Sequence, residues 1–170
     1  MNYNNQLLIA LCCLLLIACS PKPDVFIGPI IVKDGIRYIQ ETNQPITGVH
    51  FSYAEENGQV LAEQNFKNGK RHGISKEYFK NGQVRESMNY KDGMGDGVLN
   101  VYNRSGDLLV RRRYKNGLLN GFSEWYENRE LTQRMNYKDN KPNGLSEHYD
   151  DGKLKSKAFY RDGKPVEDFL

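Results

Sequence analysis

His50, His72 and His148 are the only histidines of the chain, and each stands at a different register of the surrounding sequence. A nucleophile or general base needs an orienting neighbour within hydrogen-bond reach. Ser123, Glu124 and His148 can be drawn as such a set, but neither spacing nor motif selects them. His72 precedes a glycine in a short loop, where a polar residue needs no special explanation. Asp and Asn are plentiful because they sit in turn dipeptides that favour them, and no spacing matches a calcium loop or a zinc pair. The expectation is a non-enzyme with no catalytic residue, no metal and no cofactor. A better candidate for function is the set Arg111, Arg113, Arg134 and Lys157, which period-two alternation places together on one side of successive strands. Trp125 and His148 are expected beside them from the intervening strands. Trp and Arg anchor interfaces by combining large contact area with planar hydrogen bonding. The competing reading is a solvated face whose charges keep a long sheet soluble.

Of the remaining chemistry, one residue concerns attachment. Residues Leu7 to Ile17 form an apolar run of signal-peptide length, too short to span a bilayer as a helix. It ends in Leu16-Ile17-Ala18-Cys19, which resembles the bacterial lipobox. The resemblance implies cleavage after residue 18 and a lipid on Cys19, so residues 1–18 are expected to be a signal-peptide helix. The stretch before the apolar run, Met1 to Gln6, departs from the usual pattern in lacking Lys and Arg. Cys12 and Cys13 would leave with the leader, which removes disulfides, cysteine-ligated metal and a cysteine nucleophile from the body. Attachment would then be by a lipid rather than a span, at a bacterial cell envelope. Ser20 in place of Asp resembles the sorting pattern for the outer membrane, if the host is a diderm. A net charge of +3 is too small to support nucleic acid as a partner.

The elements that must position these residues are repeated. Phe66, Tyr90, Tyr114, Tyr137 and Tyr160 recur every 23 or 24 residues, each just before a turn dipeptide. Asn57-Gly58, Asn81-Gly82, Ser105-Gly106, Asn128-Arg129 and Asp151-Gly152 form one turn column. Asn68-Gly69, Asp92-Gly93, Asn116-Gly117, Asp139-Asn140 and Asp162-Gly163 form a second. A third glycine column, Gly48, Gly73, Gly97, Gly121 and Gly144, is followed by Tyr53, Tyr78, Tyr102, Tyr126 and Tyr149. Asn-Gly and Asp-Gly between alternating residues signal hairpins with type I′ turns. Each unit has room for two strands and no helix of normal size.

Alternation then predicts a sheet of one layer with two unlike faces. The Phe66 and Tyr90 column is expected to share a semi-apolar face with Val60, Val84, Leu108, Leu131 and Leu154. That face is also expected to carry Val49, Ile74, Val98, Phe122, Leu145 and the second tyrosine column. The polar face is expected to carry Glu63, Ser87, Arg111, Arg134 and Lys157, with Asn65, Asn89, Arg113, Asn136 and Phe159. Residues 19–29, with Pro21, Pro23 and Pro29, read as a Pro-rich tether. Residues 30–56 read as a degenerate entry repeat, 57–163 as the regular array and 164–170 as a C-terminal cap, where Pro165 lacks the donor that a continuing ladder needs.

The pattern from Asn57-Gly58-Gln59-Val60 through Phe66-Lys67-Asn68-Gly69-Lys70-Arg71-His72-Gly73 to Tyr78 resembles the MORN repeat in its shorter bacterial variant form. The run from Asn81-Gly82-Gln83-Val84 to Tyr102 is a second copy. The resemblance implies an all-β fold, an elongated single-layer antiparallel meander of hairpin repeats. It departs at Arg129 and Asn140, which replace turn glycines, and at Glu167. Asn140 tolerates positive φ, whereas Arg129 leaves the turn type of the fourth repeat open. Arrays of this kind look like the YwqK-type antitoxins of toxin-antitoxin systems. That resemblance implies a non-catalytic lipid-anchored scaffold that binds a protein partner, such as a toxin, at the envelope. The alternative is an envelope structural protein that binds anionic lipid or glycan through its basic face.

Overall fold

The computed structural model describes residues 24–167. The expected signal-peptide helix, Cys19 and the first part of the tether lie outside the described residues, as do residues 168–170. The described residues are all-β. The N-terminal strands are β1 (Val25–Ile27), β2 (Ile30–Lys33), β3 (Ile36–Ile39) and β4 (Gly48–Tyr53). The array follows as β5 (Val60–Lys67), β6 (Lys70–Arg71), β7 (Gly73–Tyr78), β8 (Val84–Lys91) and β9 (Met94–Tyr102). It continues through β10 (Leu108–Lys115), β11 (Leu118–Glu127), β12 (Glu130–Lys138), β13 (Lys141–Asp150), β14 (Lys153–Arg161) and β15 (Lys164–Pro165). Thirteen of these strands make one sheet, and β2 and β3 form a separate hairpin. From β4 onward the pairing is antiparallel and sequential, so the array is a single-layer meander. At about 4.8 Å between strands it extends roughly 50 Å along the hydrogen-bonding direction.

The turns explain this regularity. Asn68 and Gly69 have φ of 50° and 73°, and Asp92 and Gly93 have 52° and 90°. This is the left-handed pair of a type I′ turn, whose twist matches that of the flanking strands. Asp139 and Asn140 reach the same region at 50° and 67°. Asn128 and Arg129 adopt it too, at 50° and 70°, which closes the question left by the missing glycine. Each turn of this second column is also tied to the repeat before it. Backbone N–H groups of Gly69, Gly93, Gly117, Asn140 and Gly163 donate to the carbonyls of Ile46, Arg71, Gly95, Leu119 and Pro142. The turns therefore stack in a fixed offset along one edge of the sheet.

The first turn column hides a feature that alternation does not reveal. Where β7 meets β8, the register shifts between Glu77 and Tyr78, so that Glu77 faces Glu86 but Tyr78 faces Val84. Arg85 is the extra residue of a bulge. The same shift occurs between Ser52 and Tyr53, Trp125 and Tyr126, and His148 and Tyr149. One inserted residue reverses the side-chain parity of everything beyond it. Val60, Val84, Leu131 and Leu154 consequently pair with Tyr53, Tyr78, Tyr126 and Tyr149, on the face opposite Phe66, Tyr90 and Tyr137. The two tyrosine columns lie on opposite faces, which corrects the expectation of one aromatic stripe. The columns Val49, Ile74, Val98, Phe122 and Leu145 also change sides, because they pair directly with Asn65, Asn89, Arg113, Asn136 and Phe159.

The third glycine column supplies a different irregularity. Gly97 has φ of 130°, and a Cβ placed there would come within 2.8 Å of the Asn89 Cβ. Positive φ and lack of space both demand glycine. Between β8 and β9 the register shifts from Met88 opposite Leu99 to Tyr90 opposite Gly95, which is how this column bends the second strand of each unit.

Burial is concentrated at the N-terminal end. Ile46 and Phe66 are 0% and 4% exposed, His50 is buried on the face of Phe66, and Val49 is buried on the other. The β2–β3 hairpin docks here through backbone bonds from Arg37 to Gly69 and from Ile46 to Arg37. Val25–Ile27 pairs in parallel with β4, so the extended tether expected across residues 19–29 is already part of the sheet from Val25 onward. His50 Nε2 lies 2.9 Å from the Gly28 carbonyl oxygen and secures that crossing. At the other end Tyr160 pairs with Pro165 in the two-residue strand β15.

Candidate functional site

The registers align one residue from each strand into a charged row across the sheet. Glu63 pairs with Lys76, Lys76 with Ser87, Ser87 with Asn100 and Asn100 with Arg111. Arg111 then pairs with Glu124, Glu124 with Arg134, Arg134 with Glu147 and Glu147 with Lys157. Charges of opposite sign directly opposite one another in a ladder are favourable. Arg134 donates through Nε and Nη2 to Glu124 Oε1 at 3.1 and 3.0 Å. Its Nη1 lies 3.7 Å from Glu147, and Arg111 lies 3.6 Å from Glu124. Lys76 repeats the arrangement with Glu63 at 3.4 Å.

The tyrosines of the second strands complete each acidic node. Tyr78 donates its hydroxyl to Glu63 at 3.1 Å, and Tyr126 donates to Glu124 at 2.9 Å. Burial, reinforced by the hydrogen bond and the charge of the glutamate, raises the Tyr78 and Tyr126 hydroxyls above the ordinary phenol value. Tyr149 is raised in the same way, by burial and then by Glu147. For Arg134, burial works to lower the pKa, but hydrogen bonding and charge from Glu124, with Tyr149 and Glu147, carry it upward. The basic patch expected from Arg111, Arg134 and Lys157 is thus an alternating lattice rather than a continuous positive surface.

A second row on this face alternates apolar and polar residues. Ile74 and Phe122 are 50% and 48% exposed. Asn89 pairs with Ile74, and Arg113 pairs with Val98. The Arg134 guanidinium lies 5.4 Å from the Phe122 ring centre, a cation–π contact between the two rows. Arg113 is exposed and makes no ion pair among the described residues.

Trp125 and His148 do not join this face. Trp125 follows Glu124 and pairs with Val110 and Gln133, and Gln133 pairs with His148. They therefore lie on the side of Ser123, and with Thr132 and Gln133 they line a shallow cleft of about 460 Å³. The Arg112 guanidinium sits 5.8 Å from the Trp125 ring. The Ser123, Glu124, His148 set is likewise dispersed. Ser123 is 0% exposed and its Oγ has no partner, while Glu124 projects from the opposite face. Among the described residues no group of three or more His, Cys, Asp or Glu side chains could hold a metal ion. No described helix is long and apolar enough to cross a membrane.

Sequence reasoning missed Glu124, Glu147 and their tyrosines as members of the arginine face. The signal was present in the recurrence of Glu two positions before Tyr126 and Tyr149, at Glu124 and Glu147. Residues two apart share a face when no bulge separates them.

Among the described residues, a single long sheet of sequential hairpins with a polar, ion-paired face defines a β-repeat scaffold. The MORN repeat variant model matches three stretches of the chain, residues 48–68, 71–92 and 143–166. These stretches support a MORN-variant repeat protein, and such repeats are compatible with a scaffold that binds protein or membrane. No curated protein matches the chain.

Proposed function

We propose that the protein is a non-catalytic, lipid-anchored scaffold that binds a protein partner at the cell envelope, in the manner of an antitoxin or immunity factor. The observation that carries this reading is half-exposed Phe122 beside Arg113, with half-exposed Ile74 farther along the same row; Arg113 has no carboxylate partner among the described residues. Apolar anchors beside an uncompensated guanidinium suit an acidic protein surface. The alternating row of Arg111, Glu124, Arg134, Glu147 and Lys157 would then set the register of the partner, since a shifted partner meets like charges. Leu16-Ile17-Ala18-Cys19 supports the lipid anchor.

The test is site-specific photo-crosslinking in the cells that express the protein. A crosslinker at Arg113 or Phe122 is expected to capture a protein adduct, whereas one at His148 on the other face gives none. Adducts from His148 alone would overturn the assignment of the face. Salt-sensitive flotation of the unlipidated body with anionic vesicles, without any protein adduct, would transfer the face to the lipid-binding alternative. Palmitate-analogue labelling that survives Cys19→Ala would remove the anchor from the reading.

A further inference from the structure

Arg37 and Arg71 come from separate parts of the fold, the entry hairpin and the main sheet, and meet on the face opposite the charged row. The Arg37 guanidinium lies 5.6 Å from the Phe66 ring centre. Phe66 pairs with Arg71 across the ladder. The Arg71 guanidinium in turn lies 5.0 Å from the Tyr90 ring, and its Nη1 donates to the Tyr90 hydroxyl at 3.0 Å. Cation and ring alternate along this column, and all but the buried Phe66 are partly exposed.

What the column lacks is negative charge. Arg85, Arg111, Arg129 and Arg134 each have a carboxylate partner. Among the described residues Arg37 and Arg71 have none. The nearby Asp92 carboxylate lies 3.4 Å from His72 Nδ1. Arg71 Nε is buried with no acceptor. Burial, followed by the charge of Arg71, holds the Arg37 guanidinium below its ordinary value, with Tyr90 acting in the opposite direction. Two like charges held together at partial burial are unfavourable unless something compensates them.

The groups on offer are all donors. Both guanidiniums are donors only, and the Tyr90 hydroxyl, which accepts from Arg71, retains its own proton to give. We propose that Arg37, Arg71 and Tyr90 form a binding site for a tetrahedral oxyanion of the phosphate type. A doubly charged group with acceptors on every side neutralises both cations and can receive Arg71 Nε, which a planar carboxylate approached from one side does less completely. Because Arg37 belongs to the hairpin and Arg71 to the array, the bound anion fastens one to the other.

The Arg37 backbone N–H, which donates to the Gly69 carbonyl at 2.9 Å, reports that junction. Hydrogen exchange of the Arg37 amide is measured in inorganic phosphate and in chloride at matched ionic strength. At ten times its dissociation constant, phosphate is expected to slow this exchange about tenfold. The amides of β12 to β14 should not respond. Arg71→Met, which keeps the aliphatic packing, should abolish the effect while leaving exchange in β12 to β14 unchanged. Should that variant unfold, the Nε–H resonances of Arg37 and Arg71 in the native protein decide the matter, since a site requires saturable shifts of both. A parallel titration with methyl phosphate distinguishes the source: response to both assigns a phosphate carried on a larger molecule, and response to inorganic phosphate alone assigns the free ion. Equal protection by chloride, absence of saturable shifts, or an undiminished effect in the folded Arg71→Met protein would overturn the proposal.

Discussion

Arg134 and Glu124 face each other on neighbouring strands and are joined through both Nε and Nη2 of the guanidinium to one carboxylate oxygen, at 3.1 and 3.0 Å. Glu124 also receives the Tyr126 hydroxyl and neighbours Arg111, so it is the node of a four-residue cluster. Replacing Glu124 with Gln removes the carboxylate between the two guanidiniums, leaving Arg111 without a counter-charge and Arg134 with Glu147 at 3.7 Å. The expected loss is about 1–2 kcal/mol in urea unfolding. A double-mutant cycle with Arg134→Gln should give a coupling of about 0.5–1 kcal/mol, because the arginine is partly exposed and screened. Additive effects would mean that the pair contributes only shape.

The tyrosine hydroxyls give the fold a dependence on alkaline pH. Tyr78, Tyr126 and Tyr149 have their pKa raised above 10.0, by burial first and by glutamate next. Their native forms hold the proton more tightly than the unfolded chain does. The associated stability is complete below the unfolded value and is lost as pH rises through the folded values. Tyrosinate absorbance should therefore appear in a late phase above pH 10.0 together with unfolding. The triple Tyr→Phe variant at these positions should lose that phase; if its alkaline unfolding is unchanged, the hydroxyls are not its cause.

Asp107 behaves in the opposite sense. Hydrogen bonds from Arg129 and Asn103 lower its pKa below 3.8. Its contribution is present above the unfolded value and disappears as pH falls through the lower folded one. Asp107→Asn is expected to flatten the acid limb of the stability profile in that window, read by denaturant midpoints at closely spaced pH. Its partner Arg129 is largely open to solvent, so the change should be small.

Arg129 holds φ of 70° in a turn position that its sister repeats give to glycine. Left-handed backbone costs a residue with a Cβ about 1 kcal/mol. The ion pair from Arg129 to Asp107 is open to solvent on the arginine's side and offsets only part of this. Arg129→Gly should raise the urea midpoint, with a net gain of several tenths of a kcal/mol. A lowered midpoint would show that the Asp107 contact outweighs the backbone strain.

Glycine matters for a second reason at Gly97. With φ of 130° and the Asn89 Cβ only 2.8 Å from where a methyl would stand, Gly97→Ala should cost about 2–3 kcal/mol. Gly82 also has positive φ, at 83°, but has nothing within 4 Å of the same position. Gly82→Ala should cost about 1 kcal/mol from backbone strain alone. The difference between the two melting curves isolates the steric part.

Much of the architecture was legible because local chemistry and global pattern agree. Asn68-Gly69 and Asp92-Gly93 announce type I′ turns by themselves, and their recurrence yields the meander. The faces were less legible, because the bulge at Arg85 carries no distinctive residue: the equivalent insertion beside Trp125 is Thr132, and the one beside His148 is Lys155. A position filled by Arg, Thr or Lys is invisible to alternation, yet it decides which side Val84 and Leu131 occupy. For the same reason Trp125 and His148 were grouped with arginines from which the sheet separates them. Arg37 and Arg71 lay beyond reach altogether, since their proximity depends on how the entry hairpin folds back over Phe66.

The two ends of the sheet are finished differently. The first long strand is flanked by β1, secured by His50 and overlain by a hairpin that buries Ile46, whereas among the described residues the last is followed by the two-residue β15 alone. Each stacked turn depends on the carbonyl of the unit before it. Among the described residues the array is therefore expected to open first at the β15 end and to persist longest at the β1 end, under a pull or a protease alike.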